Sequence, residues 1–315
     1  MGAWARLLLL GLVWGGSFIG TAAALESFGP MTVAAARLTL AAGCLLIWAR
    51  LRGALPPRLS DRRIWAFALA VAVLSNAAPF ALLSWAQQHV PANLAAVFMA
   101  FLPLMVLPMS HFLTPGERMT PRKLAGFALG TVGAVVLIGP APLADLGGGG
   151  AKLLAEAACF GVMAFYACGS IAAKRAPSCD SVAFGAMVLT LAAAMVAPAA
   201  LLLERPFAHA PGWRSVGGVL WLGLLSTGLA QVLLLEVLRR AGPPFLSMVN
   251  FMIPIWAMIF GATLLGEKVE PRALAALALT FGGVAVAQGL TAALDAARPH
   301  GLITQTCMQA GRAQR

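Results

Sequence analysis

Ten apolar stretches of about 20 residues recur along the chain, at about 7–25, 31–49, 64–85, 92–113, 122–140, 152–172, 180–203, 214–237, 243–264 and 272–292. Each matches the ~20 residues a helix needs to cross a bilayer. The runs are continuous, whereas the strands of a membrane barrel alternate apolar and polar positions. The pattern predicts an all-α polytopic membrane protein with ten transmembrane helices. The first run carries Arg6, an apolar stretch and then Thr21-Ala22-Ala23-Ala24, as a secretory leader would. Its recurrence inside the chain makes it a retained helix instead.

Composition agrees with the pattern. Sixty per cent of the 315 residues are hydrophobic and 10% are charged, against about 25% charged in soluble domains. So few charges exclude a disordered chain, a coiled coil and a soluble nucleic-acid-binding domain. The net charge of +11 acquires a different meaning once the runs are placed. With the N-terminus inside, the inner segments hold 16 Lys and Arg and the outer segments hold 5. Basic residues collect on the cytoplasmic side of membrane proteins, so both termini are expected there. The five cysteines show no CxxC spacing and are expected to be small buried hydrophobes, without metal or cofactor.

The chain also repeats itself. Gly116-Glu117-Arg118-Met119-Thr120-Pro121-Arg122 corresponds to Gly266-Glu267-Lys268-Val269-Glu270-Pro271-Arg272, and 11 of 24 positions match through Gly139 and Gly289. Leu38-Thr39-Leu40-Ala41-Ala42 corresponds to Leu189-Thr190-Leu191-Ala192-Ala193, and Phe101-Leu102-Pro103 to Met252-Ile253-Pro254. Gly147 to Gly150 forms a joint. The expected units are a first repeat over 1–146, a second over 151–293 and a cytoplasmic tail over 294–315. Five spans is an odd number, so the second repeat must enter the membrane from the opposite side. Two inverted five-helix repeats are the signature of alternating-access transporters, whose substrate sites lie near the midplane at the repeat interface.

These paired loop-helix motifs, with Trp14-Gly15, Ser17-Phe18 and Arg37-Leu38, resemble the EamA-type branch of the drug/metabolite transporter superfamily. The resemblance covers residues 5–292. It implies two EamA repeats, a bacterial inner membrane and export of small metabolites or amino acids. It also implies that the fifth and tenth helices stand away from the pathway, which makes their Gly-Glu and Pro motifs structural. It places the first and sixth helices, with Trp14, Ser17 and Tyr166, at a central cavity.

Polar groups within a bilayer are costly, so the few present are informative. Ser75-Asn76 aligns with Ser226-Thr227, and Phe80 with Gln231. Pro79 frees the carbonyl of Ser75, and Asn76 and Phe80 share a helix face. Asn76 and Gln231 are therefore candidate substrate contacts or, alternatively, polar ties between helices. Pro254 frees the carbonyl of Asn250, a third candidate. Phe98 and Phe101 fall on the matching turns and read either as substrate contacts or as helix packing. Tyr166, the only phenol in the chain, needs a partner in hydrocarbon. Arg37 is the only basic residue inside a span. It either reaches the interface and pairs with Glu26 or stands as a fixed positive charge attracting anions. Glu236 is expected to pair with Arg239 and Arg240 on its own helix.

No Asp or Glu falls near the middle of a span, which disfavours an exporter that trades protons for cationic drugs. The expected function is an inner-membrane exporter of small metabolites, most simply amino acids or related compounds. The alternatives are an anion or nucleotide-sugar exchanger, which needs more than one midplane base, and a non-transporting assembly or sensor subunit. An intramembrane enzyme would need a convergent catalytic set, and none is visible. The expected partners are the lipid bilayer and a small-molecule substrate, with no nucleic acid; a homo-oligomer is compatible with the sequence.

Overall fold

In hydrocarbon every backbone N–H and C=O must find its partner inside the protein, and a helix achieves this within one segment. Every regular element among the described residues is helical. The computed structural model describes residues 2–54, 61–113, 119–138, 150–177, 179–206, 210–234, 237 and 249–288. Gly116, Glu117 and Arg118, most of the Gly147–Gly150 joint, Glu236, Arg239, Arg240 and the 294–315 tail lie outside these residues.

The first half contains α1 (Ala3–Leu25), α2 (Pro30–Leu51), α3 (Arg62–Ala86), α4 (92–113) and α5 (Pro121–Ile138). The second half contains α6 (Ala151–Arg175), α7 (Ser181–Glu204), α8 (Trp213–Leu234), α9 (Val249–Leu264) and α10 (Pro271–Gln288). Six of these, α1, α2, α3, α6, α7 and α8, are long and apolar enough to cross a membrane, and α4, α9 and α10 contribute shorter apolar stretches. The sequence pattern gave all ten the same standing. Large hydrophobic side chains such as Ile47, Val135, Leu202 and Leu203 point away from the protein, as expected where lipid replaces water.

The packing is that of two halves exchanged about a common axis. Helix α1 lies along α9 and α8, and its counterpart α6 lies along α4 and α3. Counterparts pair directly: α2 with α7, α4 with α9 and α5 with α10. These pairs run antiparallel. The carboxylate of Glu204, at the C-terminal end of α7, accepts hydrogen bonds from the N–H groups of Met31 and Thr32 at the start of α2, at 2.9 and 2.7 Å. That of Glu267, just beyond α9, accepts from Ala92 and Asn93 at the start of α4, at 2.8 and 2.9 Å. Along α5 and α10, Gly126 and Gly130 approach Gly283 while Gly133 approaches Ala276 and Thr280. Small residues at such a crossing let two backbones meet.

Each carboxylate meets the unpaired N–H groups and positive dipole end of a helix. Side chains at Gly29 or Gly261 would occupy the space these carboxylates fill. Gly266 adopts φ +66, a left-handed conformation that turns the chain out of α9 and delivers Glu267. By contrast, α7 begins on its own Asp180, which accepts from the N–H groups of Val182 and Ala183 at 2.9 Å each.

Candidate binding cavity

Two helix irregularities frame the cavity, at repeat-equivalent positions. In α3 the segment Val73–Ala77 is π-helical, and the Ala78 N–H reaches back five residues to the Val73 carbonyl. Pro79, which has no N–H to return to Ser75, follows immediately. In α8 the segment Trp221–Leu229 is π-helical without any proline. π-turns inside α-helices leave carbonyls free for other donors and are frequent at functional sites. Helix α4 tightens instead into a 3-10 turn at Met99–Phe101, ahead of Pro103.

Between these segments lies a cavity of about 460 Å³, within the range of small-molecule sites. Side chains from α1, α2, α3 and α4 and from their counterparts α6, α7, α8 and α9 line it. Helices α5 and α10 contribute none of its lining. Eight sequence-stated candidates meet on its wall: Trp14, Ser17, Arg37, Asn76, Phe80, Tyr166, Gln231 and Asn250. Phe98 does not join them. It is fully buried and packs edge-to-face on Phe160, with ring centroids 4.9 Å apart. Phe101 leans on the same ring at 5.9 Å. Both side chains face α6, while Met99 and Leu102 of the same turn line the cavity, so these aromatics hold helices together.

The polar groups sort into spent and available donors. Trp14 Nε1 donates to the Ser226 carbonyl at 3.1 Å, and Ser226 Oγ donates to the Val13 carbonyl at 3.0 Å. This pair ties α1 to the π-segment of α8. Ser17 Oγ donates to the Trp14 carbonyl at 2.6 Å, and Ser170 Oγ to Ala167 at 2.8 Å. Asn76 Nδ2 makes only a long contact with the Val71 carbonyl, 3.4 Å. Tyr166, Gln231 and Asn250 line the cavity with no side-chain hydrogen bond to any described residue.

Arg37 is 8% exposed and does not reach Glu26. Glu26 pairs with Arg214 at 3.4 Å instead. Arg37 turns inward: its Nε donates to Thr227 Oγ1 at 2.7 Å, and its guanidinium lies 3.8 Å over the Phe80 ring. This is the stacked geometry that favours Arg over Lys. Thr227 was visible in the sequence only as the repeat mate of Asn76. Gly169, Ser170, Phe184 and Gly185 also line the cavity. A side chain at Gly169 would collide with Ser75; an isolated Gly in an apolar run was the one available signal.

A helical membrane protein built from two exchanged halves around a shared cavity, mainly apolar with a few polar groups, is a transporter in class. Comparison with known proteins gives the family. The EamA-like transporter family model matches residues 3–139 and 153–288, and the chain belongs to that family. The chain is 29% identical over 289 residues to the probable terminal-alkyne amino-acid exporter of Streptantibioticus cattleyicolor, covering 89% of this chain and 91% of that one. It is 25% identical over 272 residues to the uncharacterized inner membrane transporter YedA of Escherichia coli K12, covering 85% of each. A protein of known crystal structure superposes with a TM-score of 0.64 at 21% identity, over 92% of this chain and 98% of that one, and so shares the fold.

Proposed function

We propose that the protein exports small metabolites, amino acids or related compounds, across a bacterial inner membrane. In this reading all ten helices cross the bilayer, both termini are cytoplasmic, and the halves are inserted in opposite directions. The antiparallel pairing of α2 with α7, α4 with α9 and α5 with α10 supports the inversion. The excess of basic residues in the inner segments supports the orientation.

The observation that carries the function is the cavity, lined from four helices of each half. A site at the interface of two inverted units opens to one side and then the other as one unit rocks against its mate. On this orientation, the Glu204 and Glu267 contacts lie on the outer side and hold it closed. The name of the S. cattleyicolor relative supports an amino-acid-like cargo. A nucleotide sugar fits less well, because Arg37 is the only basic residue on the wall among the described residues. The direct test is uptake of labelled amino acids by liposomes carrying the purified protein. Wild type is expected to show flux and Asn76→Ala a reduced one; no flux for any of a broad metabolite panel would sink the reading.

A further inference from the structure

We infer that the cavity is built for the carboxylate of a singly charged anion, with Arg37 as its anchor. This rests on the exporter reading for its location and on charge balance for its chemistry. Arg37 is buried, and only its Nε is satisfied by protein. The two terminal nitrogens of its guanidinium have no acceptor among the described residues and belong to a side chain on the cavity wall. No Asp or Glu among the described residues lines that wall. Removing one partner of a buried ion pair is strongly destabilising, and here no described residue supplies an acidic partner. The missing counter-charge is therefore the ligand's.

The geometry selects among anions. A guanidinium presents parallel N–H donors that match a carboxylate two-on-two. The Phe80 ring fixes its plane from one face, and the Thr227 hydroxyl holds Nε. The Tyr166 hydroxyl, free on the opposing half, adds a neutral donor. One cation balances one negative charge. A monocarboxylate closes the cavity at zero net charge, a phosphate monoester leaves it negative, and a zwitterion leaves it positive. An ammonium group would find neutral oxygens and aromatic faces but no carboxylate among the described lining residues. Among amino acids and their relatives, the favoured cargo is thus one whose amine is acylated or absent, with its apolar body against Phe80, Leu83, Val188 and Ile253.

A matched set tests this: N-acetylphenylalanine (anion), phenylalanine (zwitterion), phenylalaninamide (cation) and phenyl phosphate (dianion). Binding to the detergent-purified full chain is read by calorimetry, and flux separately in liposomes. N-acetylphenylalanine should bind about tenfold or more tighter than phenylalaninamide, the size expected for a charged hydrogen-bonded contact. Tyr166→Phe should weaken the anion several-fold while leaving the cation unchanged, and Arg37→Gln should abolish the preference. Equal or tighter binding of the cation, zwitterion or dianion, no binding of the anion by wild type, or a preference that survives in folded Arg37→Gln would overturn the inference. The wild-type comparison holds even if that variant does not fold. Selective binding without flux would instead count against the exporter reading, and flux indifferent to carboxylate would spare the exporter while removing the anchor.

Discussion

Glu156 carries a carboxylate that is 1% exposed, and neither oxygen has a hydrogen-bond partner among the described residues. The charges acting on it are Lys152 one turn away and Arg272 and Glu270 at the start of α10. The sequence showed Glu156 only as an acid near a helix end; its full burial comes from tertiary packing around α6, with the start of α10 nearby, which no local pattern records. Burying such a group is costly. Glu156→Gln is expected to keep or raise the thermal midpoint of the purified protein, and a clear fall would mean that the carboxylate is paired. At Gly266, φ +66 favours glycine. Gly266→Ala is expected to cost about 1 kcal/mol, measurable as a lower midpoint. The sequence singled out this glycine through the repeat, but the carboxylate it positions was read only as structural. Its partner, the start of α4, lies 174 residues away in the chain.

At the scale of elements, the two helix-capping carboxylates make the same bond twice. Glu204 and Glu267 each place two oxygens on two N–H groups of a counterpart helix. Glu204→Gln and Glu267→Gln should each cost about 1 kcal/mol, since an amide keeps only part of the acceptor set and none of the charge. A second measurement separates gating from stability. Cysteines introduced beside Met31 or Ala92 should react faster with an impermeant thiol reagent in these variants than in wild type. Unchanged reactivity would make the contacts simple caps. Most helices were legible from apolar runs alone. The prolines in α3 and α4 also marked irregular turns beside the cavity. The π-segment of α8 was not legible, because no proline announces it; it arises where Ser226 bonds α1 rather than its own helix. Phe98 misled for a related reason: its turn matched the right position, but the side chain faces α6.

For the whole molecule, the account turns on two opposed halves. Topology is checked by single cysteines in the 50–63 loop and near Arg205: the first should be shielded from impermeant reagents in intact cells and the second exposed. Native Cys179 lies between α6 and α7, on the inner side in this topology, so it should be shielded in intact cells and add no background. Burial, with the neighbouring Asp180 charge, pushes its thiol above the usual range, and the thiolate is the reactive form. In the detergent-purified protein, where both sides are accessible, its labelling should rise as the medium is made alkaline. The sequence leads one to expect an inversion from an odd number of spans per repeat, and the antiparallel pairing of counterpart helices supports it. The cavity's contents were readable as a short inventory of intramembrane polar residues. Arg37 was the exception, since its inward direction is fixed by Thr227 and Phe80 on other helices.

The central claim is transport through this cavity, and solute counterflow in proteoliposomes tests it most directly. Liposomes preloaded with unlabelled amino acids or their N-acyl derivatives should accumulate the labelled compound transiently. Asn76→Ala and Tyr166→Phe should reduce that accumulation without lowering the amount of protein inserted. Accumulation no greater than in protein-free liposomes across a broad metabolite panel, or undiminished by either substitution, would contradict the account.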